Sequence, residues 1–465
     1  MQPSARVIGQ NAGKALEGVS RRMERVKDVE VPARVVAIES LDQEGRGVGR
    51  WQGKAIFVDG ALPGEWVEFS PYRRKSTYEF AQASRILRAS TQRTQPPCPH
   101  FGTCGGCSLQ HQDPRAQVAA KQRILEDALW HVGRVRPDHM LPPIYGPTWE
   151  YRHRARLTVR NVPKKGGILV GFHERRRSYV ADMTSCKVLP RRISLLLPRL
   201  RALVAQLSVH DRLPQIEVAC GDNADVLVLR ILRPLSAADE TVIKRFADEH
   251  EVAIFLQPSG PDSAYLFHPP RMEELSYGIP AFGVALSFSP TEFTQINTAM
   301  NRVLVPRAVR LLAPQPGERV ADLFCGLGNF SLAIASLGVD VLGVEGLESL
   351  VRRAKHNAER NGLARRCYFV SADLDKITTP DVIRLGRIDR MLIDPPRDGA
   401  MRVIMALDAP SPKRIVYVSC NPATLARDAG VLTQVKGYTL AAAGVVNMFP
   451  HTAHVESIAV FDRDD

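Results

Sequence analysis

The alternation of apolar and polar positions along the chain changes its period from one region to the next. Between residues 31 and 93, short apolar runs at 35–38, 55–58 and 66–69 are separated by turns that contain glycine. Short apolar runs between glycine turns indicate β-strands, and their close spacing favours a small barrel. We predict a five-stranded β-barrel over residues 31–93, an architecture that often binds RNA.

The C-terminal part of the chain alternates apolar strands with helical segments. From about residue 286, the predicted strands lie at 319–324, 339–344, 390–393 and 414–418. Strands that alternate with helices form a parallel sheet with helices on both faces. The fold class predicted for residues 286–465 is therefore α/β, with a doubly wound, Rossmann-like sheet.

Residues 94–285 carry a mixed pattern, with a helical stretch near 114–131 and alternating runs such as 226–229. We predict a central α+β domain there. Residues 1–30 are charged and lack an apolar core, which predicts a flexible basic extension and argues against a signal peptide. No apolar stretch approaches membrane-spanning length, so we expect a cytoplasmic protein without a membrane partner. We also expect a monomer.

Positive charge is concentrated in one part of the chain. The net charge is +13, and residues 151–200 contain 13 Lys and Arg against two acids. In Tyr151-Arg152-His153-Arg154-Ala155-Arg156 the basic residues alternate, as they would on one face of a strand. Concentrated charge of one sign suits a polyphosphate, and no amphipathic anchor accompanies it. We therefore expect a nucleic acid as the partner rather than a membrane surface.

A loop that contains two glycines follows the strand predicted at 319–324. The sequence Asp322-Leu323-Phe324-Cys325-Gly326-Leu327-Gly328-Asn329-Phe330 runs from the end of that strand into a helix. Glycines let the backbone approach a ligand closely. Glu345 ends the next strand, where a carboxylate can hold both hydroxyls of a ribose. Loop and carboxylate together predict a nucleoside site.

The loop favours S-adenosylmethionine over a dinucleotide. Ser331 stands where the dinucleotide fingerprint has a third glycine, and nothing else in the loop favours a pyrophosphate. S-adenosylmethionine has no phosphate, and acids such as Asp322 would stabilise its sulfonium cation. Asp373, after the third strand, is placed to contact the adenine.

Cys420 lies at the carboxyl end of a buried strand, where open α/β sheets keep their active sites. A lone cysteine is more often a packed core residue. Here it accompanies a methyl-donor site and the motif Asp394-Pro395-Pro396-Arg397. Arginine at the last position argues against amino-group methyltransferases, which often have an aromatic residue there. Carbon methylation of a pyrimidine is therefore favoured.

Methylation of uracil at C5 needs a nucleophile and a base. A thiolate that adds to C6 gives C5 carbanion character, so that C5 can attack the methyl group. Cys420 is the candidate nucleophile, and its thiol needs local activation. Glu456 is the candidate base for the C5 proton, with a surface carboxylate as the alternative. His451 and His454 are either an orienting pair or part of a polar turn.

Three of the eight cysteines, Cys98, Cys104 and Cys107, lie within ten residues. This spacing is typical of metal ligands, and disulfides are not expected in the cytoplasm. We interpret the cysteines at 220, 325 and 367 as structural.

Five segments together resemble the RNA uracil-C5 methyltransferases. They are residues 288–297, 322–330, 394–397, 418–422 and 449–456. The resemblance covers roughly residues 31–465 and is specific because the segments occur in combination. It implies an S-adenosylmethionine-dependent methyltransferase domain over 286–465. Asn447 departs from the family, which often has an acid before Met-Phe-Pro, so an ionic role at that position is left open.

The resemblance also implies roles for individual residues. The residues that would line the S-adenosylmethionine site are Gln295, Phe324, Asn329, Glu345, Asp373 and Asp394. Asp394 would also contact the uracil. Cys420 would be the nucleophile and Glu456 the base.

Two features resemble the branch of the family that modifies ribosomal RNA. Residues 41–47 and 57–65 resemble a TRAM domain, which is an RNA-binding module. The metal cysteines are the second feature, and they would be Cys98, Cys104, Cys107 and the distant Cys186. Four thiolates suit zinc or a [4Fe–4S] cluster, and the resemblance implies the cluster within the 94–285 domain. Because uracil methylation is redox-neutral, we expect the cluster to serve structure or RNA docking.

The sequence thus predicts a function with two alternatives. The function is methylation of C5 of a specific uridine in 23S ribosomal RNA, with large-subunit ribosomal RNA as the partner. The first alternative is the same chemistry on transfer RNA or on two ribosomal sites. The second is an RNA-binding iron–sulfur protein whose methyltransferase domain is inactive, and the presence of Cys420 and Glu456 argues against it.

Overall fold

The structure, a computed structural model, describes residues 34–408 and 412–463. The basic extension predicted at 1–30 lies outside the described residues. Within the described ranges, no helix is long and apolar enough to cross a membrane. The framework consists of three large β-sheets, one for each predicted domain, and a separate hairpin.

Residues 35–88 form the first sheet, which is a small barrel. Its strands are β1 (Val35–Ala37), β2 (Ser40–Leu41), β3 (Gly47–Trp51), β4 (Lys54–Asp59), β5 (Trp66–Arg74) and β6 (Tyr78–Arg88). They pair in the order β1-β5-β6-β4-β3-β2. Alternate side chains, among them Val36, Ile56, Val58 and Val67, fill the interior, as the period of two in a half-buried strand requires.

One bent segment closes this barrel. β1 and β2 are separated only by Ile38 and Glu39, whose N–H groups donate to Glu65 O (2.9 Å) and Val48 O (2.8 Å). The segment thereby pairs with both edges of the sheet. Counted as one strand, β1 and β2 give the five strands that the sequence predicts.

The central region begins with elements that leave it. Helix α1 (Pro114–Ala128), a π-helical turn at 129–133 and the short strand β7 (His139–Met140) precede the second sheet. Leu125 and Leu129 lie in the same core cluster as Tyr417 and Phe461, more than 280 residues later in the chain. This part of the predicted central domain therefore packs on the C-terminal sheet.

The second sheet has six strands. They are β8 (Arg154–Val162), β9 (Gly167–Gly171), β10 (Gln215–Cys220), β11 (Asp225–Arg230), β12 (Ala253–Gln257) and β13 (Tyr265–His268), with helices α2 (Arg191–Gln206) and α3 (Ala237–His250). Leu227 and Leu229 pack with the two helices, whereas Val226 and Val228 face the C-terminal core. Successive side chains of a strand point to opposite faces, so one short strand serves both cores.

The C-terminal sheet has eight strands in the order β18-β17-β16-β19-β20-β22-β21-β7. The elements of this region are β14 (Leu275–Ile279), β15 (Val284–Phe288), α4 (Thr298–Leu312), β16 (Arg319–Leu323), α5 (Ser331–Ala335), β17 (Asp340–Glu345), α6 (Glu348–Arg360), β18 (Cys367–Ser371), α7 (Thr379–Arg384), β19 (Arg390–Ile393), α8 (Met401–Ala406), β20 (Arg414–Ser419), α9 (Pro422–Gln434), β21 (Thr439–Val446) and β22 (Glu456–Asp462). β14 and β15 form the separate hairpin.

Strands β16 to β20 are parallel, and the predicted α/β fold class is confirmed. The sheet differs from a purely parallel one because β22 lies between β20 and β21 and runs antiparallel to both. The strand order reverses on the two sides of β16, which has β17 on one side and β19 on the other. In open α/β sheets such a reversal opens a crevice at the carboxyl ends of the strands.

Candidate active site

A cavity of about 770 Å³ opens at the carboxyl ends of these strands. All eight residues predicted for the cofactor and for catalysis line it, and they are Gln295, Phe324, Asn329, Glu345, Asp373, Asp394, Cys420 and Glu456. They come from seven different strand ends or loops of the domain. The structure therefore brings the predicted site residues together in one place.

The loop after β16 has a backbone that its glycines make accessible. Phe324, Gly326 and Gly328 all have positive φ angles, of 62°, 55° and 96°. A Cβ atom on Gly328 would lie 2.5 Å from Leu332 Cδ1. The loop can therefore turn sharply from β16 into α5 only with glycine at this position.

Hydrogen bonds hold two polar side chains of the cavity in place, one at the end of β17 and one in the loop after β16. The Glu345 carboxylate accepts hydrogen bonds from the N–H groups of Gly326 (3.1 Å) and Leu347 (3.0 Å). Asn329 Oδ1 accepts from the Tyr277 hydroxyl at 3.0 Å and from Asn301 Nδ2 at 2.8 Å. Both polar side chains are held in place before any ligand arrives.

Asp373 and Gln295 also line the cavity. Asp373 follows β18 and accepts from Lys376 Nζ at 2.7 Å and from the N–H of Asp375 at 3.1 Å. The hydrogen bond from the exposed Lys376 lowers the pKa of Asp373, which therefore stays ionised. Gln295 lies in the segment that leads into α4.

Asp322, near the end of β16, and Asp394, directly after β19, differ in their access to the cavity. Asp394 lines it, whereas Asp322 lies beneath the loop, fully buried, and accepts a hydrogen bond from the Ser331 hydroxyl. Burial raises the pKa of each carboxyl to about 7, and the other's charge adds to the rise for Asp394. A cation bound in the cavity would favour the ionised form of Asp394.

Cys420 lies between β20 and helix α9. Asn421 caps this helix by accepting from the N–H of Ala423 at 3.1 Å. Burial raises the pKa of the Cys420 thiol to about 11, the charges of Glu456 and Asp394 add to the rise, and Arg397 opposes it. In the unliganded protein Cys420 is therefore a thiol at neutral pH, close to the positive end of a helix.

Glu456 is the first residue of β22 and is only 4% exposed. Burial raises its pKa well above the ordinary value of a glutamate, Asp394 adds to the rise, and Lys121 opposes it. Its burial in the cavity wall excludes the alternative of a surface carboxylate. The loop before it contains His451 and His454, of which His454 lines the cavity and His451 stacks on Trp149 at 3.7 Å.

A second cavity, of about 470 Å³, adjoins the first and is basic. Five arginines line it, namely Arg46, Arg152, Arg175, Arg176 and Arg397. Arg397, Phe449 and His454 line both cavities, so the two are neighbours. The arginines come from the barrel, the central region and the C-terminal domain, and we call this cavity the basic groove.

The barrel is held against this groove by ion pairs. Asp59 of the barrel, 2% exposed, accepts from Arg175 at 2.9 Å and pairs with Arg176 at 3.0 Å. Within the 31–93 module itself, the fully buried Glu65 accepts from both Nε and Nη2 of Arg93. Buried carboxylates need such paired, hydrogen-bonded partners.

Cys98, Cys104, Cys107 and Cys186 line one small cavity of their own. All four are free of disulfides. The N–H of Gly106 donates to Cys104 Sγ at 3.4 Å, and burial raises the pKa of the Cys104 thiol to about 11 and that of Cys107 to about 12. Among the described residues, no group of three or more His, Cys, Asp or Glu side chains has the arrangement needed to hold a single metal ion.

Comparison with known proteins assigns the family. Residues 283–464 match the family described as tRNA (Uracil-5-)-methyltransferase, and residues 34–69 match the TRAM domain. A 23S rRNA (uracil(1939)-C(5))-methyltransferase RlmD from Aromatoleum aromaticum is 59% identical over 431 residues, which are 92% of this chain and 100% of that protein. The RlmD protein of Dechloromonas aromatica is 58% identical over 91% of this chain and 98% of its own length.

The chain belongs to the RNA uracil-C5 methyltransferases. The predicted family and the predicted TRAM domain are therefore confirmed.

A solved structure of the same fold supports the architecture. The tRNA (uracil-54, C5)-methyltransferase of Pyrococcus abyssi, in complex with S-adenosyl-L-homocysteine, superposes with a TM-score of 0.70. It is 23% identical and covers 92% of this chain and 100% of its own.

Several residues of this methyltransferase site escaped prediction from sequence. Tyr277 and Asn301 orient Asn329 from the hairpin and from α4. Lys121 of α1 reaches the loop before Glu456, where it hydrogen-bonds Asn447. None of these side chains lies in a recognisable motif, and their only signal is the position that tertiary packing gives them.

Proposed function

We propose that this protein methylates C5 of a specific uridine in 23S ribosomal RNA, with S-adenosylmethionine as the methyl donor. The observation that carries the proposal is the convergence of Cys420 and Glu456 on the cavity that the Gly-x-Gly loop and Glu345 also line. A nucleophile, a base and a nucleoside site in one cavity are what carbon methylation of a pyrimidine requires.

In the proposed reaction the Cys420 thiolate attacks C6 of the uracil, and the C5–C6 double bond shifts to give an enolate. S-adenosylmethionine would supply an electrophilic methyl group: as C5 forms a bond to it, the bond between the methyl group and the sulfonium sulfur breaks, and S-adenosylhomocysteine is the leaving group. The Glu456 carboxylate then removes the proton from C5. The electrons of that C–H bond form the new C5–C6 double bond, and the C6–S bond breaks to release the Cys420 thiolate.

Cys420 needs activation because burial holds its pKa near 11. Two features would favour the thiolate, the nearby Arg397 and the N-terminus of α9. A sulfonium cation in the cavity would act in the same direction by offsetting the charge of Asp394. We therefore expect the thiolate to form mainly in the complex with cofactor and RNA.

The cofactor residues have separable roles in this proposal. Glu345, with its two backbone hydrogen bonds, is placed to accept from the ribose hydroxyls. Asp373 would contact the adenine, and Phe324, Asn329 and Gln295 would line the remaining space. Asp394 would face both the cofactor and the uracil.

The basic groove is the proposed route for the RNA strand. Its arginines suit phosphates, and its shared wall with the catalytic cavity gives a flipped uracil a short path to Cys420. Two aromatic rings of the barrel, Tyr72 and Phe80, stack on each other near the groove, with their ring centroids 6.3 Å apart. Unpaired bases stack on such rings, which favours a single-stranded segment as substrate.

The domain boundaries remain part of the proposal. We propose a TRAM barrel at 31–93, a central domain at 94–285 and a methyltransferase domain at 286–465. Helix α1 and β7 lie within the central domain by sequence, but they pack on the sheet of the methyltransferase domain and so attach the two domains to each other.

We also propose that Cys98, Cys104, Cys107 and Cys186 hold a [4Fe–4S] cluster. The four thiols line one small cavity. Four thiolates suit zinc or a [4Fe–4S] cluster, and the resemblance to the ribosomal-RNA branch of the family favours the cluster. The N–H of Gly106 at Cys104 Sγ suits a thiolate ligand.

Ribosomal RNA is preferred over transfer RNA because the relatives that are 58% and 59% identical are named for 23S ribosomal RNA. The two RlmD proteins match 91–92% of this chain over almost their full length. The matching family model carries transfer RNA in its name but covers only the catalytic domain. Transfer RNA therefore remains the second candidate substrate.

Methyl transfer from labelled S-adenosylmethionine to separate ribosomal and transfer RNA transcripts tests the proposal. We expect label on C5 of one uridine of the ribosomal transcript, and loss of transfer by more than a thousandfold in Cys420→Ala, since the nucleophile is removed. Glu456→Gln should form the adduct and fail to release it, giving a covalent protein–RNA band. Transfer that persists in Cys420→Ala would refute the covalent mechanism.

A further inference from the structure

Lys121 is a buried lysine in the wall behind the catalytic base. It lies on α1, is 1% exposed and is among the largest fully buried side chains of the described residues. Lysine is almost never fully buried without a charged partner, because an ammonium loses most of its hydration there. Its position therefore calls for a physical reason.

The two hydrogen-bond acceptors of Lys121 are both neutral. Its Nζ donates to Asn447 Oδ1 at 2.8 Å and to the carbonyl oxygen of Phe449 at 2.8 Å. Among the described residues it forms no ion pair with a carboxylate. The ammonium is held in place by dipoles, and its positive charge is left without a counter-ion in direct contact.

Geometry places Lys121 close to Glu456, because its acceptor Asn447 directly follows Val446, the residue that pairs with Glu456 between β21 and β22. Burial lowers the pKa of Lys121 to about 7, and Glu456 opposes this effect. Reciprocally, Lys121 opposes the rise that burial and Asp394 impose on the pKa of Glu456. Other titratable groups near Glu456 include Asp394 and Cys420, which interact with its charge, Arg397 and His454, which line the same cavity, and His451 in the preceding loop. Burial lowers the pKa of both histidines, so they are neutral at neutral pH.

We propose that Lys121 is a positioning residue whose buried ammonium, held by Asn447 and Phe449, favours the ionised form of Glu456 for removal of the C5 proton. The inference rests on the proposed function, since it assigns the base to Glu456. Two neutral acceptors are essential to it. A carboxylate at position 447 would pair with the ammonium and weaken its effect on Glu456.

The reaction shows where the charge would act. Glu456 must be a carboxylate when the methylated adduct forms, since only the ionised group can accept the proton of C5. In the low dielectric of the buried cavity, an unopposed carboxylate beside Asp394 would stay protonated. The Lys121 ammonium supplies the opposing charge. The lysine and the glutamate titrate as a coupled pair. The pH dependence of the elimination rate therefore gives apparent pKa values of the pair and not of Glu456 alone.

The test separates elimination from adduct formation. With RNA that carries tritium at C5 of the target uridine, methyl incorporation measures adduct formation, and tritium release measures proton removal. In Lys121→Met we expect methyl incorporation to persist and tritium release to fall at neutral pH. Each unit by which the pH midpoint moves upward lowers release at neutral pH by about tenfold. Release should recover as the pH is raised.

Two further variants keep the test decisive if Lys121→Met folds poorly. Asn447→Asp places a carboxylate against the ammonium and should move the midpoint of release in the same direction by a smaller amount. Lys121→Arg keeps the positive charge and should restore the wild-type pH profile. A merely structural lysine would slow methyl incorporation and tritium release together at every pH.

The outcomes distinguish this inference from the proposed function. If tritium release has the wild-type pH profile in both Lys121→Met and Asn447→Asp, Lys121 has no part in ionising the base. If Glu456→Gln fails to accumulate the adduct, the assignment of the base itself is wrong. A trapped adduct in Glu456→Gln with an unchanged profile in Lys121→Met overturns the role of Lys121 alone.

Discussion

At the scale of single residues, the site is a set of groups in the wrong protonation state for the chemistry they perform. Burial favours the neutral forms of Cys420, Asp394 and Glu456, whereas the reaction needs a thiolate and a carboxylate. Low dielectric makes each nearby charge count strongly. We expect a cavity of this kind to be inactive when empty and to be activated by the positive charge of a bound sulfonium, which adds to that of the resident Lys121.

The pH dependence of Cys420 alkylation tests this description of the empty site. Because the folded pKa is about 11, the thiolate fraction at neutral pH is small, and the rate of reaction with iodoacetamide should rise about tenfold for each pH unit. Mass spectrometry of the Cys420 peptide, with Cys420→Ala as the control for other cysteines, measures it. A rate that is already constant at neutral pH would contradict the expectation.

At the scale of elements, two loops at strand ends shape the site, and each contains a residue whose φ angle is positive. The loop between β16 and α5 passes Gly328 at φ 96°. The segment between β21 and β22 carries His451 at φ 62°, and the carbonyl oxygen of His451 accepts from the N–H groups of both Ser108 and Leu109. This second contact joins the cysteine segment to the loop that precedes the catalytic base.

Gly328→Ala should weaken the binding of S-adenosylmethionine. A side chain at this φ costs about 1–3 kcal/mol, and the added Cβ would press on Leu332. Displacement of the loop should lower the affinity about tenfold or more. Titration calorimetry measures the affinity. Gly317→Ala is the matched control because Gly317 also has a positive φ, of 81°, with open space around it and no place in the cavity. Equal affinities in the two variants would contradict the role of the loop.

At the scale of the whole molecule, the barrel, the central sheet and the catalytic sheet meet around the basic groove. Arg175 and Arg176 fasten the barrel through Asp59, and α1 fastens the central region to the catalytic sheet. The cavity of the four cysteines lies beside Arg152, a residue that also lines the groove. The proposed cluster is thus placed to hold the groove in shape rather than to take part in methyl transfer.

Replacement of one proposed ligand should remove iron and disturb the groove. In Cys104→Ala, purified without oxygen, we expect loss of the brown iron–sulfur absorbance, loss of bound iron and a lower melting temperature, since a metal site stabilises only the folded chain. Cys220→Ala is the control, because Cys220 is equally buried in the same core cluster but away from the four-cysteine cavity. A Cys104→Ala protein with unchanged iron content would refute the assignment. Zinc instead of iron in the native protein would show that these cysteines form a zinc site.

The sequence by itself determined the elements and the chemistry that local patterns encode. Apolar periodicity located β16, β17, β19 and β20, and the strand-end motifs identified eight side chains that the structure brings to one cavity. These signals are local, because a strand's period, a glycine turn and a strand-end residue depend on near neighbours. The cavity follows from them since parallel strands end at one edge of the sheet.

Only the tertiary structure decided which distant groups share a low-dielectric space. Lys121 and Asn447 are 326 residues apart and meet through the packing of α1 on the catalytic sheet. The insertion of β22 between β20 and β21 likewise depends on a long-range pairing, and it buries Glu456 beside Cys420. Protonation states depend on such burial and on the distances between charges, and no local pattern carries that information.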